Sequence, residues 1–417
     1  MAQAGPRLIA THSGLRGRPG LELSGEVVER AVGGLVALIR ARELSETVGV
    51  ARDERSSSEP LAAEAARIAM AAGMEVTDFG VLSTPAAKLA SRSRALGGAV
   101  IVTGSHLNPD LNGLKLVAGP SYGPVDIREL PAPAKPTERQ AGWLQRDEGA
   151  VAEHLAAIRD SVDTDLIRAA RLSVRCEGGA GRAPTLLLDE MGCRRDANRA
   201  DLGLSLDPDG DRLQLTDERG NALDAEYTLP LVMLAHEAQT IVKGSDTSRM
   251  VDALAGRCGG VVRTVPPGEI HLVEALSKGG GELAGEGNGG VVVPAVGIAR
   301  DALAAAAAIL WLLAGTEKPL SALISELPDY PRRRSIVPCG LSADGPAALE
   351  AVARRFGTQL TSPEVGVRVE TSGSWGLVRM SATEPVIRVT VEAPSDAEAE
   401  SLHAELRSAL LDGAEPR

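Results

Sequence analysis

The sequence predicts an α/β protein with three α/β domains of mixed sheets and a smaller C-terminal α+β domain around a central cleft. Three observations support this fold class. Short apolar segments typical of buried strands alternate with longer segments of helical spacing along most of the chain. Several strand-like segments run directly into polar loops, as in open sheets that bind ligands at the carboxyl ends of their strands. At 417 residues, the chain is also too long for one ordinary core.

The first domain is predicted from a regular succession of segments. Residues 27–41 have helical spacing, and residues 47–50 and 97–102 have the composition of strands. Ser58 is expected to cap a helix, because its hydroxyl can accept a hydrogen bond from the first turn. Residues 138–160 again have helical spacing and are expected to close the domain.

The remaining domains each contain recognisable strands. Residues 200–206 and 280–284 are strand-like segments that precede polar loops, and residues 397–411 have the spacing of a closing helix. Strands are also predicted in the last domain at 365–370, 376–379 and 386–392. The predicted domain boundaries are 1–160, 161–239, 240–334 and 335–417.

Composition excludes several classes of function. A net charge of −12 and only eight aromatic side chains argue against binding to nucleic acid or to anionic membranes. The longest apolar run, residues 302–314, is too short to span a bilayer and is predicted to be a buried helix. No signal peptide is recognisable and the four cysteines are widely spaced, so we expect reduced thiols in a cytoplasmic protein. The sequence gives no indication of oligomeric state.

The loop at residues 102–115 contains the candidate nucleophile. A Gly-Ser-His turn follows the apolar strand, and a hydroxyl at that position is presented to a crevice. Ser105 is therefore the candidate. The alternative is that Ser105 and Asn108 only shape the loop by bonding to nearby backbone groups. This loop alone does not distinguish the two interpretations.

The second polar loop has aspartates at alternating positions, Asp207, Asp209 and Asp211. An extended loop can turn all three carboxylates towards one point, where a hard divalent cation removes their mutual repulsion. Two alternatives are a calcium-binding loop with Glu218 at its twelfth position and a purely structural acidic turn. The calcium loop is disfavoured, since Arg212 occupies the position that needs glycine for a sharp turn.

Two further loops carry chemistry suited to a phosphorylated sugar. Glu286 and Asn288 offer a carboxylate and an amide on a glycine-rich turn, which can bind sugar hydroxyls. In the last domain, two guanidinium groups and two hydroxyls surround a turn between strands and can envelop a phosphate. The alternative for that turn is a polar hairpin. The residues of the predicted phosphate site are Arg379, Ser381, Thr383 and Arg388.

Together these loops closely resemble the four signature loops of the α-D-phosphohexomutase superfamily, which includes phosphoglucosamine mutases, phosphomannomutases and phosphoglucomutases. The resemblance extends from Ser13-Gly14-Leu15-Arg16-Gly17 to the last strand and helix. The four loops read Thr103-Gly104-Ser105-His106, Asp207-Pro208-Asp209-Gly210-Asp211-Arg212, Gly285-Glu286-Gly287-Asn288-Gly289-Gly290 and Arg379-Met380-Ser381-Ala382-Thr383-Glu384-Pro385.

The resemblance implies a role for each site residue. Ser105 would carry a phosphoryl group, and one oxygen of that group would join the three aspartates around Mg²⁺. Lys115, Arg16 and His106 would stabilise charge or move the proton of the attacking hydroxyl; for His106, a hydrogen-bonded loop residue is the equal alternative. The substrate would be held by Arg212, Glu286, Asn288, Arg379, Ser381, Thr383 and Arg388.

The activity implied is a phosphosugar mutase that interconverts a hexose 6-phosphate and a hexose 1-phosphate through a phosphoserine enzyme. A hexose bisphosphate would serve as intermediate or activator. The form Gly-Glu-Gly-Asn-Gly-Gly resembles archaeal phosphoglucosamine mutases, which favours glucosamine phosphate over the mannose and glucose phosphates.

Three departures from the family pattern define the alternatives. Leu107 and Ala382 replace the usual asparagine and glycine, and the second domain is abbreviated between residues 178 and 201. A rival interpretation is a noncatalytic sugar-phosphate binding protein descended from such a mutase. A serine hydrolase using Ser105 and His106 lacks the nucleophile-elbow pattern.

Overall fold

The computed structural model describes residues 8–11, 14–133, 142–195, 199–338, 344–363, 365–381 and 386–414. The chain divides into two compact units. The first comprises Met1–Gly244 and Ala255–Glu326, and the second comprises Ser245–Leu254 and Leu327–Arg417.

The first unit begins with a mixed sheet of eight strands in the order β1-β2-β6-β5-β3-β4-β8, with β7 beside β6. Strands β5, β3, β4 and β8 run parallel to one another, whereas β1, β2, β6 and β5 pair antiparallel. The strands are β1 (Ile9–Thr11), β2 (Gly14–Gly17), β3 (Thr47–Arg52), β4 (Glu75–Val81), β5 (Gly98–Val102), β6 (Asn112–Ala118), β7 (Gly123–Pro124) and β8 (Leu144–Arg146).

Helices cover both faces of this sheet. Val100 and Val102 of the fully buried strand β5 belong to one core cluster, and Ile101 between them belongs to another on the opposite face. Such a strand is apolar at every position, which explains why the sequence revealed it. The helices are α1 (Gly25–Ala41), α2 (Ser58–Ala71), α3 (Thr84–Ser93), α4 (Ala150–Asp160) and α5 (Thr164–Ala170).

The helical spacing found within residues 138–160 is confirmed by helix α4, but the range also contains a strand that the sequence did not reveal. Residues Leu144–Arg146 form the edge strand β8, which pairs with β4. All three of its residues are exposed, so neither face gives an apolar pattern that would identify a strand. The predicted helix is present only as α4, and residues 138–141 lie outside the described part of the chain.

A second, small sheet has the order β11-β10-β9, with β9 parallel and β11 antiparallel to the central strand. The predicted strand at residues 200–206 is confirmed as β10. Between residues 174 and 216, the described residues form only these three strands and one helix, as expected of an abbreviated domain. The elements are β9 (Val174–Gly178), α6 (Ala183–Glu190), β10 (Leu202–Leu206) and β11 (Leu213–Thr216).

A third sheet has the order β13-β12-β14-β15 and is again mixed. Its strands are β12 (Thr240–Gly244), β13 (Val261–Val265), β14 (Leu283–Gly285) and β15 (Val291–Val292). The helices in this part of the sequence are α7 (Thr228–His236), α8 (Met250–Arg257), α9 (Glu269–Ser277), α10 (Ala302–Thr316) and α11 (Leu320–Glu326).

Helix α10 confirms the buried helix predicted at residues 302–314. Its N-cap Asp301 accepts hydrogen bonds from the backbone N–H groups of Leu303 and Ala304, and nearly all of its residues are buried. Among the described residues, no single helix is long and apolar enough to cross a membrane; α10 and α11 meet that criterion only as a pair bent by 90°.

The second unit contains an antiparallel sheet in the order β16-β19-β18-β17, covered by two helices. Its elements are β16 (Arg332–Pro338), α12 (Asp344–Phe356), β17 (Val367–Glu370), β18 (Trp375–Met380), β19 (Val386–Glu392) and α13 (Asp396–Ala414). Alternate residues of β19, namely Ile387, Val389 and Val391, belong to the core. Mixed sheets in the first unit and this α+β arrangement confirm the predicted fold class.

Candidate active site

The serine loop follows the carboxyl end of β5, as predicted. Ser105 is buried and has a φ of 50°, a left-handed conformation that is uncommon for residues other than glycine. Its backbone N–H donates to the Thr103 hydroxyl at 2.8 Å, and its own Oγ lies 3.4 Å from Nδ1 of His106. A residue other than glycine keeps this backbone conformation only where its surroundings hold it there.

Arg55 holds that loop through backbone carbonyls. Its Nη2 donates to the carbonyl oxygens of Ser105 at 2.5 Å and Leu107 at 2.9 Å, and its Nη1 to those of Asn108 at 2.9 Å and Leu111 at 2.8 Å. The loop closes tightly on this group, since a Cβ at position 104 would lie 2.5 Å from the guanidinium carbon. One side chain therefore fixes four carbonyl groups of the serine loop.

Asp53 supports the same arrangement from the end of β3. Its Oδ2 lies 3.3 Å from Arg55 Nε and accepts a 3.3 Å hydrogen bond from the backbone N–H of Gly104. Its Oδ1 accepts a short hydrogen bond from the Ser58 hydroxyl.

The prediction that Ser58 caps a helix is wrong. Ser58 is the first residue of α2, and its hydroxyl is bound to Asp53 and to Asn112 Nδ2 instead.

The acidic loop follows β10 and brings the three aspartates together. One carboxylate oxygen from each of Asp207, Asp209 and Asp211 lies within 4.8 Å of the others. Oδ1 of Asp207 accepts from the backbone N–H groups of Asp211 and Arg212 at 2.9 and 3.1 Å, which turns the loop back on itself. Gly210 allows the turn with a φ of 68°, and a Cβ there would lie 2.9 Å from Ser83.

The three carboxylates fit a metal ion. Within the described part of the chain, Asp207 Oδ2, Asp209 Oδ1 and Asp211 Oδ1 are buried and make no hydrogen bond. Burial, followed by the charges of the other two aspartates, raises the pKa of Asp207 well above its usual value. Each aspartate thus keeps one buried oxygen for a cation, and oxygen ligands are those that Mg²⁺ and Ca²⁺ prefer.

Two cations occupy the other side of the cluster. Lys115 on β6 donates to Oδ2 of Asp209 and, at 3.1 Å, to Oδ2 of Asp211, while Arg300 Nη2 donates to the same Asp211 oxygen at 2.7 Å. Burial raises the pKa of Asp211, but Arg300 and Lys115 outweigh it and hold that pKa well below the usual value. Arg16 on β2 is buried nearby, and burial lowers its pKa although Asp209 and Asp211 oppose the shift.

His106 connects the serine loop to the acidic loop. Its Nδ1 lies 3.4 Å from Ser105 Oγ and 3.2 Å from Arg212 Nη1. Arginine can only donate, so Nδ1 is the unprotonated nitrogen of the ring.

The sugar loop follows β14 and is already engaged with protein donors. Oε1 of Glu286 accepts from the Gly268 backbone N–H at 2.8 Å, and Oε2 accepts from Arg300 Nη1 at 2.7 Å. Asn288 stays within its own loop, donating to Glu286 at 3.4 Å and accepting from the backbone N–H of Gly290 at 3.0 Å. Asn288 thus supports the turn that carries Glu286.

In the second unit, Arg379 and Arg388 lie directly opposite each other on β18 and β19. Like charges facing across two strands destabilise a sheet unless an anion lies between or beside them. Arg379 also lies 3.4 Å from Asp246 of the same unit, and Ser381 follows at the end of β18. Thr383 lies outside the described residues.

Sequence reasoning missed two residues of this site and kept open one alternative that the structure overturns. Arg55 could have been suspected, because it follows the strand next to β5, but Arg300 precedes an apolar helix and gives no local signal. The calcium-loop alternative is wrong, since the carboxylate of Glu218 bonds to the backbone and hydroxyl of Ser321 instead.

Three family models match the chain. They describe domain I, domain III and the C-terminal domain of phosphoglucomutase/phosphomannomutase, and they match residues 7–124, 224–330 and 340–409. A probable phosphoglucosamine mutase of Methanopyrus kandleri is 31% identical to this chain over 94% of its length and 95% of the relative. The chain belongs to the α-D-phosphohexomutase superfamily.

Other phosphohexomutase relatives agree with this placement. A phosphoglucomutase/phosphomannomutase of Thermococcus kodakarensis is 28% identical over 88% of this chain and 90% of the relative. A crystal structure of a phosphoglucomutase/phosphomannomutase family protein from Burkholderia thailandensis has a TM-score of 0.76, 22% identity and coverage of 97% of both chains. Members of this superfamily are isomerases that move a phosphoryl group on a hexose, and the chain is a phosphohexomutase.

Proposed function

We propose that this phosphohexomutase interconverts glucosamine 6-phosphate and glucosamine 1-phosphate through a phosphorylated Ser105 and a bisphosphorylated sugar. Four domains with the boundaries 1–160, 161–239, 240–334 and 335–417 would carry the four loops. The observation that carries the proposal is the group of three buried aspartate oxygens that make no hydrogen bond within the described residues. Arg212 of the same loop contacts His106, which in turn lies beside Ser105.

The chemistry follows from the charges around the loop. A Mg²⁺ ion held by Asp207, Asp209 and Asp211 would neutralise the phosphoryl oxygens, which is the main requirement of phosphoryl transfer. Arg55 holds the backbone of Ser105 through its carbonyl oxygen, and the Ser105 hydroxyl lies beside His106. Lys115 lies against Asp209 and Asp211 and would add positive charge on the side of the serine loop.

Glu286 would bind hydroxyl groups of the sugar, with Asn288 holding its loop. In the second unit, Arg379, Arg388 and Ser381 would bind the phosphate that is not reacting, since two facing guanidinium groups suit a dianion. Thr383 would complete that site. Arg212 would contact the substrate beside the acidic loop.

The preference for glucosamine phosphate is supported by the sugar loop, which reads Gly-Glu-Gly-Asn-Gly-Gly, and by a relative named a probable phosphoglucosamine mutase. Activity on mannose or glucose phosphates is the second candidate, because another relative is named phosphoglucomutase/phosphomannomutase.

We further propose that the protein acts in the cytoplasm, because Cys176, Cys193 and Cys258 are free thiols.

The test is intact mass before and after incubation with glucose 1,6-bisphosphate, followed by Mg²⁺-dependent turnover of the three sugar phosphates. We expect one added phosphoryl group, absent in Ser105→Ala and present in the control Ser401→Ala, whose serine is on the surface of α13. Ser105→Ala should retain sugar-phosphate binding. Binding without phosphorylation or turnover in the unmodified protein would instead identify a noncatalytic sugar-phosphate binding protein.

A further inference from the structure

Arg300 joins the acidic loop to the sugar loop through one buried guanidinium group. Its Nη2 donates to Oδ2 of Asp211 and its Nη1 to Oε2 of Glu286, both at 2.7 Å. Its backbone N–H donates to Oε1 of Glu269 at 3.2 Å, which fixes the residue at the start of α10. The acidic loop and the sugar loop follow strands of different sheets, and both are therefore bound to the same guanidinium group.

This connection is stiff for two physical reasons. The guanidinium group is planar, so one nitrogen cannot follow its carboxylate without moving the other. The side chains of Arg300, Asp211 and Glu286 are at most 9% exposed, and separating a buried pair leaves an uncompensated charge away from water. A displacement of either carboxylate is consequently transmitted to the other.

Asp211 is the point at which a metal ion and Arg300 compete. Its Oδ2 binds Arg300 and Lys115, whereas its buried Oδ1 makes no hydrogen bond within the described residues. A divalent cation held by the three aspartates would take up part of the negative charge of Asp211. The attraction between Asp211 and Arg300 would then weaken, and Arg300 would interact more strongly with Glu286.

We propose that Arg300 is a positioning residue that couples occupation of the cation site to the binding of the sugar at Glu286. This inference rests on the proposed function, because it requires the sugar to bind Glu286. Coupling is reciprocal: the factor by which the cation changes sugar affinity equals the factor by which the sugar changes cation affinity. The competition at Asp211 also requires that removing the charge of Arg300 tightens cation binding.

The experiment measures binding by calorimetry on the full chain carrying Ser105→Ala, which prevents transfer during the titration. Glucosamine 6-phosphate is titrated with and without Mg²⁺, and Mg²⁺ is titrated with and without the sugar. We expect Mg²⁺ to change the sugar affinity by about fivefold or more, a typical size for coupling between sites. Adding Arg300→Gln should reduce this factor to about one and tighten Mg²⁺ binding.

The matched control is Arg159→Gln, which removes a half-exposed arginine paired with Glu190 at 2.8 Å in the same unit. It should keep the parent coupling factor. Circular dichroism checks that each variant is folded. If Arg300→Gln does not fold, Arg300→Lys replaces it, because a single ammonium group bonded to one carboxylate cannot hold the other in the same geometry, and the coupling factor should again fall.

An unchanged coupling factor in the folded Arg300 variant would overturn the inference, as would a parent protein whose sugar affinity is the same with and without Mg²⁺. Either result leaves phosphorylation of Ser105 unaffected, so the proposed function would stand. Conversely, Mg²⁺-dependent sugar binding that depends on Arg300, without phosphorylation of Ser105 in the unmodified protein, would support the coupling and refute the mutase mechanism.

Discussion

Arg55→Lys tests whether the conformation of the serine loop limits phosphoryl transfer. The native guanidinium donates to four carbonyl groups of the loop, with Nη1 and Nη2 each serving two. Lysine keeps the charge but has one donor nitrogen, so we expect about two of these bonds to be lost. At about 1 kcal/mol of net contribution per bond, the loop is destabilised by about 2 kcal/mol, which corresponds to a roughly 30-fold slower transfer.

The assay follows phosphorylation of Ser105 by glucose 1,6-bisphosphate with intact mass, over a time course. Mg²⁺ affinity, measured by calorimetry, should be unchanged, because the hydrogen bonds of Arg55 go to the serine loop and not to the acidic loop. The matched control is Arg52→Lys, since Arg52 lies three positions earlier in the chain and pairs with the exposed Glu59 at 3.4 Å. It should phosphorylate at the parent rate. If Arg55→Lys is phosphorylated as fast as the parent protein, the conformation of the serine loop does not depend on the hydrogen bonds of Arg55, and the reasoning fails.

Three further predictions concern the metal, pH and phosphate. Mg²⁺ at about 100 times its dissociation constant should stabilise the protein by about 2.7 kcal/mol, and Asp209→Asn should abolish the corresponding rise in Tm. Burial raises the pKa of Glu269, but Lys88 and Arg300 outweigh it and bring that pKa to about 2. The folded-state pKa of Glu269 lies below its unfolded value, so the ionised carboxylate stabilises the protein by about 3 kcal/mol above pH ~4.5. This stabilisation is lost as the pH falls towards ~2. In urea unfolding measured across that pH range, Glu269→Gln should flatten the dependence of the unfolding free energy on pH. Arg388→Gln should weaken sugar-phosphate binding by calorimetry about tenfold or more, since a hydrogen bond to a charged group contributes about 1.5–3 kcal/mol; undiminished affinity would remove Arg388 from the phosphate site.

The sequence predicted those features whose signal is local. Strand β5 is a short apolar run because both of its faces are buried, and β5 and β10 each lead into a loop rich in polar side chains. The acidic loop was recognisable because carboxylates at alternating positions of one segment converge without help from distant residues. Family resemblance then connected these loops in their order along the chain.

The missed features depend on contacts between distant parts of the chain. Arg55 contacts the serine loop and Arg300 contacts the acidic loop across fifty or more residues of sequence, and no spacing rule relates such positions. Strand β8 was missed because it is exposed throughout and takes its conformation from pairing with β4. Ser58 could equally cap a helix or bind Asp53, and only the position of Asp53 at the end of β3 decides between them.

The arrangement of charges explains how the acidic loop can be buried before any metal binds. Three carboxylates at close range would repel one another, and burial would make the repulsion stronger. Lys115 and Arg300 approach Asp209 and Asp211 from one side and neutralise them through their Oδ2 atoms. Asp207 instead accepts hydrogen bonds from the backbone N–H groups of Asp211 and Arg212, and burial together with the two other aspartates raises its pKa well above the usual value. One buried oxygen of each aspartate makes no hydrogen bond within the described residues, so each carboxylate keeps a ligand atom for a metal ion.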